Sequence, residues 1–288
     1  MADVLQLCVA GIAVGCAYGI VGLTFTAIYN ASRVINLAQG EFVMLGTLFA
    51  YYFLLRLHWN FWATLILIIV LSIIFGLALE WVVVRPLNAQ HASIVTIIIA
   101  TMAAGMIVSG GVGVATKFLM WRVPAPLGMQ PWRLGSVAIL PQNVLVIIAT
   151  VLMVFSYWFL LNRTMRGRAL KATGIDADMA TLVAISVSQM VALSFIISAA
   201  MAGLAGLLVG PLTAPTYSVG FPLVVKGFVS AIVGGLGNPY AAVVGGIIVG
   251  VLNVWLSGFA PAYAEVGTFA VLLIVLLLRP YGLFGEKE

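Results

Sequence analysis

Charge is what this chain has least of. Its 288 residues carry thirteen Lys and Arg and eight Asp and Glu, 7% of the total. A soluble domain carries about 25%. No water-exposed domain can be built from so little charge, so no soluble domain fits between the apolar runs. There are only two histidines, His58 and His91, isolated from each other and each at the end of an apolar run. Without further ligands they make no metal site. The two cysteines, Cys8 and Cys16, fall in the first apolar run. Eight positions along a helix is about 12 Å, beyond disulfide reach, so they read as small packing residues. The four lysines, at 117, 171, 226 and 287, follow Thr, Leu, Val and Glu. None sits in the Gly-Lys-Ser/Thr setting of a nucleotide-binding loop, so this chain does not hydrolyse ATP by that chemistry. Paired acid and base residues are missing too, which argues against an enzyme. The start has no basic segment, only Asp3, so no cleavable signal peptide is expected.

Hydrocarbon is what remains, at 64% of residues. A helical span needs about 20 apolar residues. Suitable runs cover residues 4–30, 41–55, 61–84, 93–115, 143–161, 186–210 and 240–256, with shorter ones at 223–233 and 266–278. The pattern predicts an all-α polytopic membrane protein of about 8–9 transmembrane helices, one transmembrane domain over residues 1–288. The net charge of +5 then concerns membrane orientation and lipid rather than nucleic acid. Gly11, Gly15 and Gly19 share a helix face, as do Gly246 and Gly250. Small residues at this spacing let helices approach closely, inside the chain or across to a second subunit.

Two polar segments interrupt the runs at length. In residues 162–188, Arg163, Arg166, Arg168 and Lys171 fall within nine positions, followed by Asp176 and Asp178. That density of positive charge predicts a cytoplasmic loop. The cluster reads as a helix end, Gly174 as a turn, and Asp176 as the cap of a helix starting at Ala177. Such order suggests a docking surface for a soluble partner. The other loop, residues 116–142, has Lys117, Arg122, Arg133, four prolines, Trp121 and Trp132. It reads as an interfacial segment on the opposite, periplasmic face, with both tryptophans at the membrane surface. With nine crossings, the C-terminus is cytoplasmic and the N-terminus outside. Arg33, Arg85, Arg163, Arg166, Arg168, Lys171, Arg279 and Lys287 then lie inside, against Arg56, Lys117, Arg122 and Arg133 outside.

Breaks at residues 31–40 and 211–222 stand between apolar runs and face opposite sides, as inverted repeats would. Each follows a Gly-rich helix and precedes a helix near a charge, Glu41 in one case and Lys226 in the other. Broken helices near mid-membrane point to a transport path. Candidate path residues are Asn36, Gln39, Glu41, Phe42, Phe221, Lys226 and Phe228. Glu41 can equally stabilise a helix start or pair with Arg33. Lys226 can snorkel to an interface. Asn36 and Gln39 can line the path or satisfy broken backbone. A secondary carrier driven by ions is the alternative of another class; it would require several intramembrane carboxylates or histidines.

The runs GLTFTAIYNASRVINLAQGEFVMLG (22–46), RTMRGRALKATGIDADMATLVAISV (163–187), ALSFIISAAMAGLAGLLVGP (192–211), KGFVSAIVGGLGNPYAAVVGG (226–246) and RPYGLFG (279–285) resemble, in order, the signature segments of the branched-chain amino acid ABC permeases. The length resembles the smaller, H-type member of the permease pair. The resemblance implies a subunit of a bacterial inner-membrane importer with a homologous second permease, two ATPase subunits that bind ATP and Mg, and a periplasmic binding protein. It also implies that residues 163–188 couple to the ATPases, through Arg163, Arg166, Gly167, Arg168, Ala169, Lys171, Gly174, Asp176 and Ala177. The family includes relatives that move urea, short amides and small organic acids. In related sugar permeases an acidic residue tends to stand where this chain has Asn36.

Overall fold

The computed structural model describes residues 2–134, 137–213, 215–259, 261–279 and 281–285. Lys287, counted above among the inner basic residues, lies outside them. The chain is almost wholly helical: α1 (Ala2–Ser32), α2 (Gln39–Tyr51), α3 (Phe61–Leu79), α4 (Arg85–Ala89), α5 (Ile94–Ala115), α6 (Pro141–Arg163), α7 (Met165–Ile175), α8 (Ala177–Leu182), α9 (Val187–Val209), α10 (Gly220–Gly234), α11 (Pro239–Phe259) and α12 (Ala264–Leu278). A π-helical turn extends α2 to Arg56, and another joins α3 to α4. Between α5 and α6, β1 (Trp132–Leu134) pairs antiparallel with β2 (Val137–Ile139). Among the described residues, six helical stretches are long and apolar enough to cross a bilayer, and α10 and α12 are shorter apolar helices.

Local chemistry sets most boundaries. The side chains of Asn60 and Ser93 accept backbone N–H bonds from Trp62 and Thr96, capping α3 and α5. Pro141 opens α6, where its missing N–H costs nothing.

The two most buried long helices, α1 and α9, form the centre. Helix α1 packs on α10 and α11, while α9 packs on α2 and α3. The packing of α1 on α10 and α11 thus parallels that of α9 on α2 and α3, the pairing that a repeat of α1–α3 in α9–α11 would give. The glycine faces meet inside the chain. β-Carbons built at Gly11, Gly15 and Gly19 would stand 2.6–2.9 Å from the Cα atoms of Val251, Ile247 and Val243. Register falls by four as it rises by four, so α1 and α11 are antiparallel and nearly in backbone contact. Cys8 and Cys16 are free, and Cys16 is buried among these helices.

The structure corrects three expectations. Gly174 is not a turn but lies inside α7, and the direction changes at Asp176. Lys226 does not open a helix, because α10 begins six residues earlier at Gly220. Trp121 is not at the membrane surface. It is 3% exposed, its indole N–H donates to Thr47 Oγ1 at 3.2 Å, and its backbone N–H donates to the Pro215 carbonyl. An indole buried this way fastens the long loop to α2 and to the second break. Trp132, by contrast, is half exposed.

Candidate functional site

The first break starts where α1 stops. Arg33 takes a positive φ of 55°, and its guanidinium donates to the Gly174 carbonyl at 2.9 Å. It therefore does not pair with Glu41. The Asn36 side chain accepts from Ala38 N–H at 3.0 Å and stands 3.5 Å from Gln39 Oε1, while Gln39 Nε2 donates to the Ser198 carbonyl. Both amides are fully buried. Asn36 thus supplies a partner that the broken backbone loses, while Gln39 ties the break to α9.

The chain then turns into α2 at the one place where α10 also begins. A β-carbon on Gly40 would overlap the carbonyl oxygen of Gly220. The N-termini of two helices thus abut, each with a partial positive charge. Glu41, in the first turn of α2, puts its carboxylate between them. A β-carbon on Gly220 would stand 2.7 Å from Cδ and from both oxygens of Glu41. Glu41 is 7% exposed, and its Oε2 is enclosed without any hydrogen-bond partner among the described residues.

A cavity of about 280 Å³ opens beside this carboxylate. Besides Glu41, its walls are Leu37, Phe221, Ser218 and one face of α5: Met102, Gly105, Met106 and Ser109. The flank is open, with Met106 63% and Phe221 49% exposed. Of the seven path candidates, only Glu41 and Phe221 meet here. Phe42 is in the core, and Phe228 packs at a tilt against Phe25 with ring centres 5.1 Å apart. Lys226 Nζ is 2.7 Å from Glu265 on α12 and sits over the Tyr18 ring. Sequence reasoning missed the α5 face. Its signal was available, since Met102, Gly105, Met106 and Ser109 recur at three- and four-residue steps.

The second candidate region is α7 with α8. Thr164 accepts from Gly167 N–H at 3.0 Å, capping α7, and Asp176 accepts from Asp178 and Met179 N–H at 2.9 Å, capping α8. Gly167 and Gly174 seat α7: β-carbons there would overlap the carbonyl oxygens of Leu160 and Asn30. Ala169 is half-buried, whereas Arg163, Arg166, Arg168, Asp176 and Ala177 are exposed. Lys171 reaches the Asn162 side chain at 2.7 Å. Large apolar side chains stand exposed among them: Met165, Ile175, Met179, Leu182 and Val183 are each more than 60% exposed.

The match to known proteins is nearly full length. Residues 7–277 fit the family described as branched-chain amino acid transport system / permease component. The chain belongs to that family. It is 28% identical over 99% of its length to the high-affinity branched-chain amino acid transport system permease protein BraD of Pseudomonas aeruginosa, covering 96% of that protein. It is likewise 28% identical to LivH of Escherichia coli, with the same coverage of each chain. Among solved structures, PsaBC from Streptococcus pneumoniae in complex with Fab has the same fold, with a TM-score of 0.51 at 12% identity over 97% of this chain and 93% of that one. Membership makes the chain a multi-pass permease component. Among the described residues no group of acidic, His and Cys side chains is arranged to hold a metal.

Proposed function

We propose that this chain is the transmembrane permease subunit of an ABC importer for branched-chain or related amino acids in a bacterial inner membrane. It works with a homologous second permease, two ATPases that bind ATP and Mg, and a periplasmic binding protein. The observation that carries the assembly is the α7–α8 element. Four large apolar side chains stand in the open on two capped helices, and Val183 follows them, amid a basic cluster. Outside a bilayer, an apolar patch of this kind calls for a protein partner. This end faces the cytoplasm because its arginines and Lys171 obey the positive-inside rule. The loop at the other end contacts the binding protein.

The path runs along the open flank of the Glu41 cavity, which the second permease covers. The α1–α11 glycines are used within the chain, so that partner meets other surfaces. Co-purification of this chain with its ATPases, followed by leucine uptake in proteoliposomes, tests the reading. Uptake should require ATP and the binding protein. A chain that transports alone, driven by an ion gradient, would overturn it.

A further inference from the structure

We infer that the Glu41 cavity reads the ammonium group of the passing amino acid, so that the permease itself rejects solutes lacking that cation. This rests on the importer reading above and names what its cavity recognises.

Among the described residues lining the cavity, Glu41 is the one acidic or basic side chain, and no described Lys or Arg forms an ion pair with it. Arg33 is held by the Gly174 carbonyl, and the single ion pair among the described residues joins Lys226 to Glu265 on the other side of α10. A simple capping role explains why Glu41 stands at two helix N-termini, but a capping carboxylate takes hydrogen bonds from backbone N–H groups. Neither oxygen of Glu41 takes one in the described residues, and Oε2 is enclosed without a donor. A buried acceptor left this way costs free energy until a donor arrives. A charged N–H donor supplies the strongest form of that bond.

The rest of the wall suits the remainder of a small aliphatic amino acid. Leu37, Met102, Met106 and Phe221 offer hydrocarbon. The two unbranched thioethers adjust to differently branched side chains. Ser109 and Ser218 carry hydroxyl donors for a carboxylate. At about 280 Å³ the space falls just below the range of drug-sized ligand cavities, about 300–1,000 Å³. It suits one small solute.

The test uses the complete complex of both permeases and both ATPases in nanodiscs, without the binding protein. Binding of radiolabelled L-leucine is measured against two competitors. Isoamylamine keeps the ammonium and loses the carboxylate; leucic acid has a hydroxyl in place of the ammonium. Isoamylamine should compete at least tenfold better than leucic acid. Glu41→Gln should weaken leucine binding about tenfold or more, and Glu41→Asp should weaken it less. Equal competition, better competition by leucic acid, leucine affinity unchanged in Glu41→Gln, or no leucine binding to the native complex would overturn the inference. The competitor comparison needs no variant, so it decides even if the Gln protein does not assemble. Failure of the importer reading looks different: no ATPase would co-purify, whatever leucine did.

Discussion

Gly40 and Gly220 bring the starts of α2 and α10 into backbone contact, with no room for a methyl group on Gly40. The clash at Gly40 is with a main-chain carbonyl, which no rotamer change relieves. At Gly220 the neighbour is the end of the Glu41 side chain. Gly40→Ala should therefore cost about 1–3 kcal/mol and lower the unfolding midpoint of the purified protein. Gly220→Ala should fold but displace the carboxylate and depress leucine uptake. Equal midpoints and equal uptake for both would mean that the helix starts stand further apart.

The α7–α8 surface yields a separation of coupling from folding. Ala177 and Met179 point to solvent and touch no core. Ala177→Arg and Met179→Asp should insert and fold normally, yet lose ATP hydrolysis stimulated by the loaded binding protein. Gly174→Trp should fail differently, through lost packing, because its side chain would run into the end of α1. Normal stimulated hydrolysis in both surface variants would reduce this element to a topology signal.

Lys226 and Glu265 fasten α12 to α10. The lysine side chain is 13% exposed and the glutamate 66%. Removing the acid strands the less exposed partner, which is the costlier error. Glu265→Ala should lower stability by about 1–3 kcal/mol, and adding Lys226→Met should restore part of it. A double variant less stable than Glu265→Ala, by thermal unfolding in detergent, would contradict this.

Two tryptophans in one loop should behave oppositely. Trp121→Phe loses the bond to Thr47 and should cost about 0.5–1.5 kcal/mol. Trp132→Phe, half exposed, should stay within about 0.5 kcal/mol of the native protein. Comparing unfolding midpoints of the two variants checks the pair.

Met129 and Met179 are both exposed, in the segments that precede and follow the long helix α6. In intact cells stripped of their outer membrane, a cysteine at 129 should react with an impermeant maleimide and one at 179 should not. The reverse labelling would invert the orientation.

Some of this protein was readable from the residues alone. Apolar runs, capping side chains such as Asp176, and the density of Lys and Arg act over a turn or two of helix. Their consequences follow from neighbours in sequence. The helix ends near Ser93, Arg163 and Leu278 fall where those signals put them. The family signatures were also legible, being contiguous strings. Other features were decided only by tertiary packing. A glycine face permits close approach without naming its partner, so Gly15 could not announce Ile247. A carboxylate at residue 41 gives no hint that α5 will wall a cavity beside it. Nor does Lys226 disclose Glu265, 39 positions later. Trp121 looked interfacial because tryptophan beside arginine usually is; only the fold showed Thr47 waiting for its N–H. In each case the deciding contact joins segments far apart in the chain, and its energy depends on distances that no local pattern encodes.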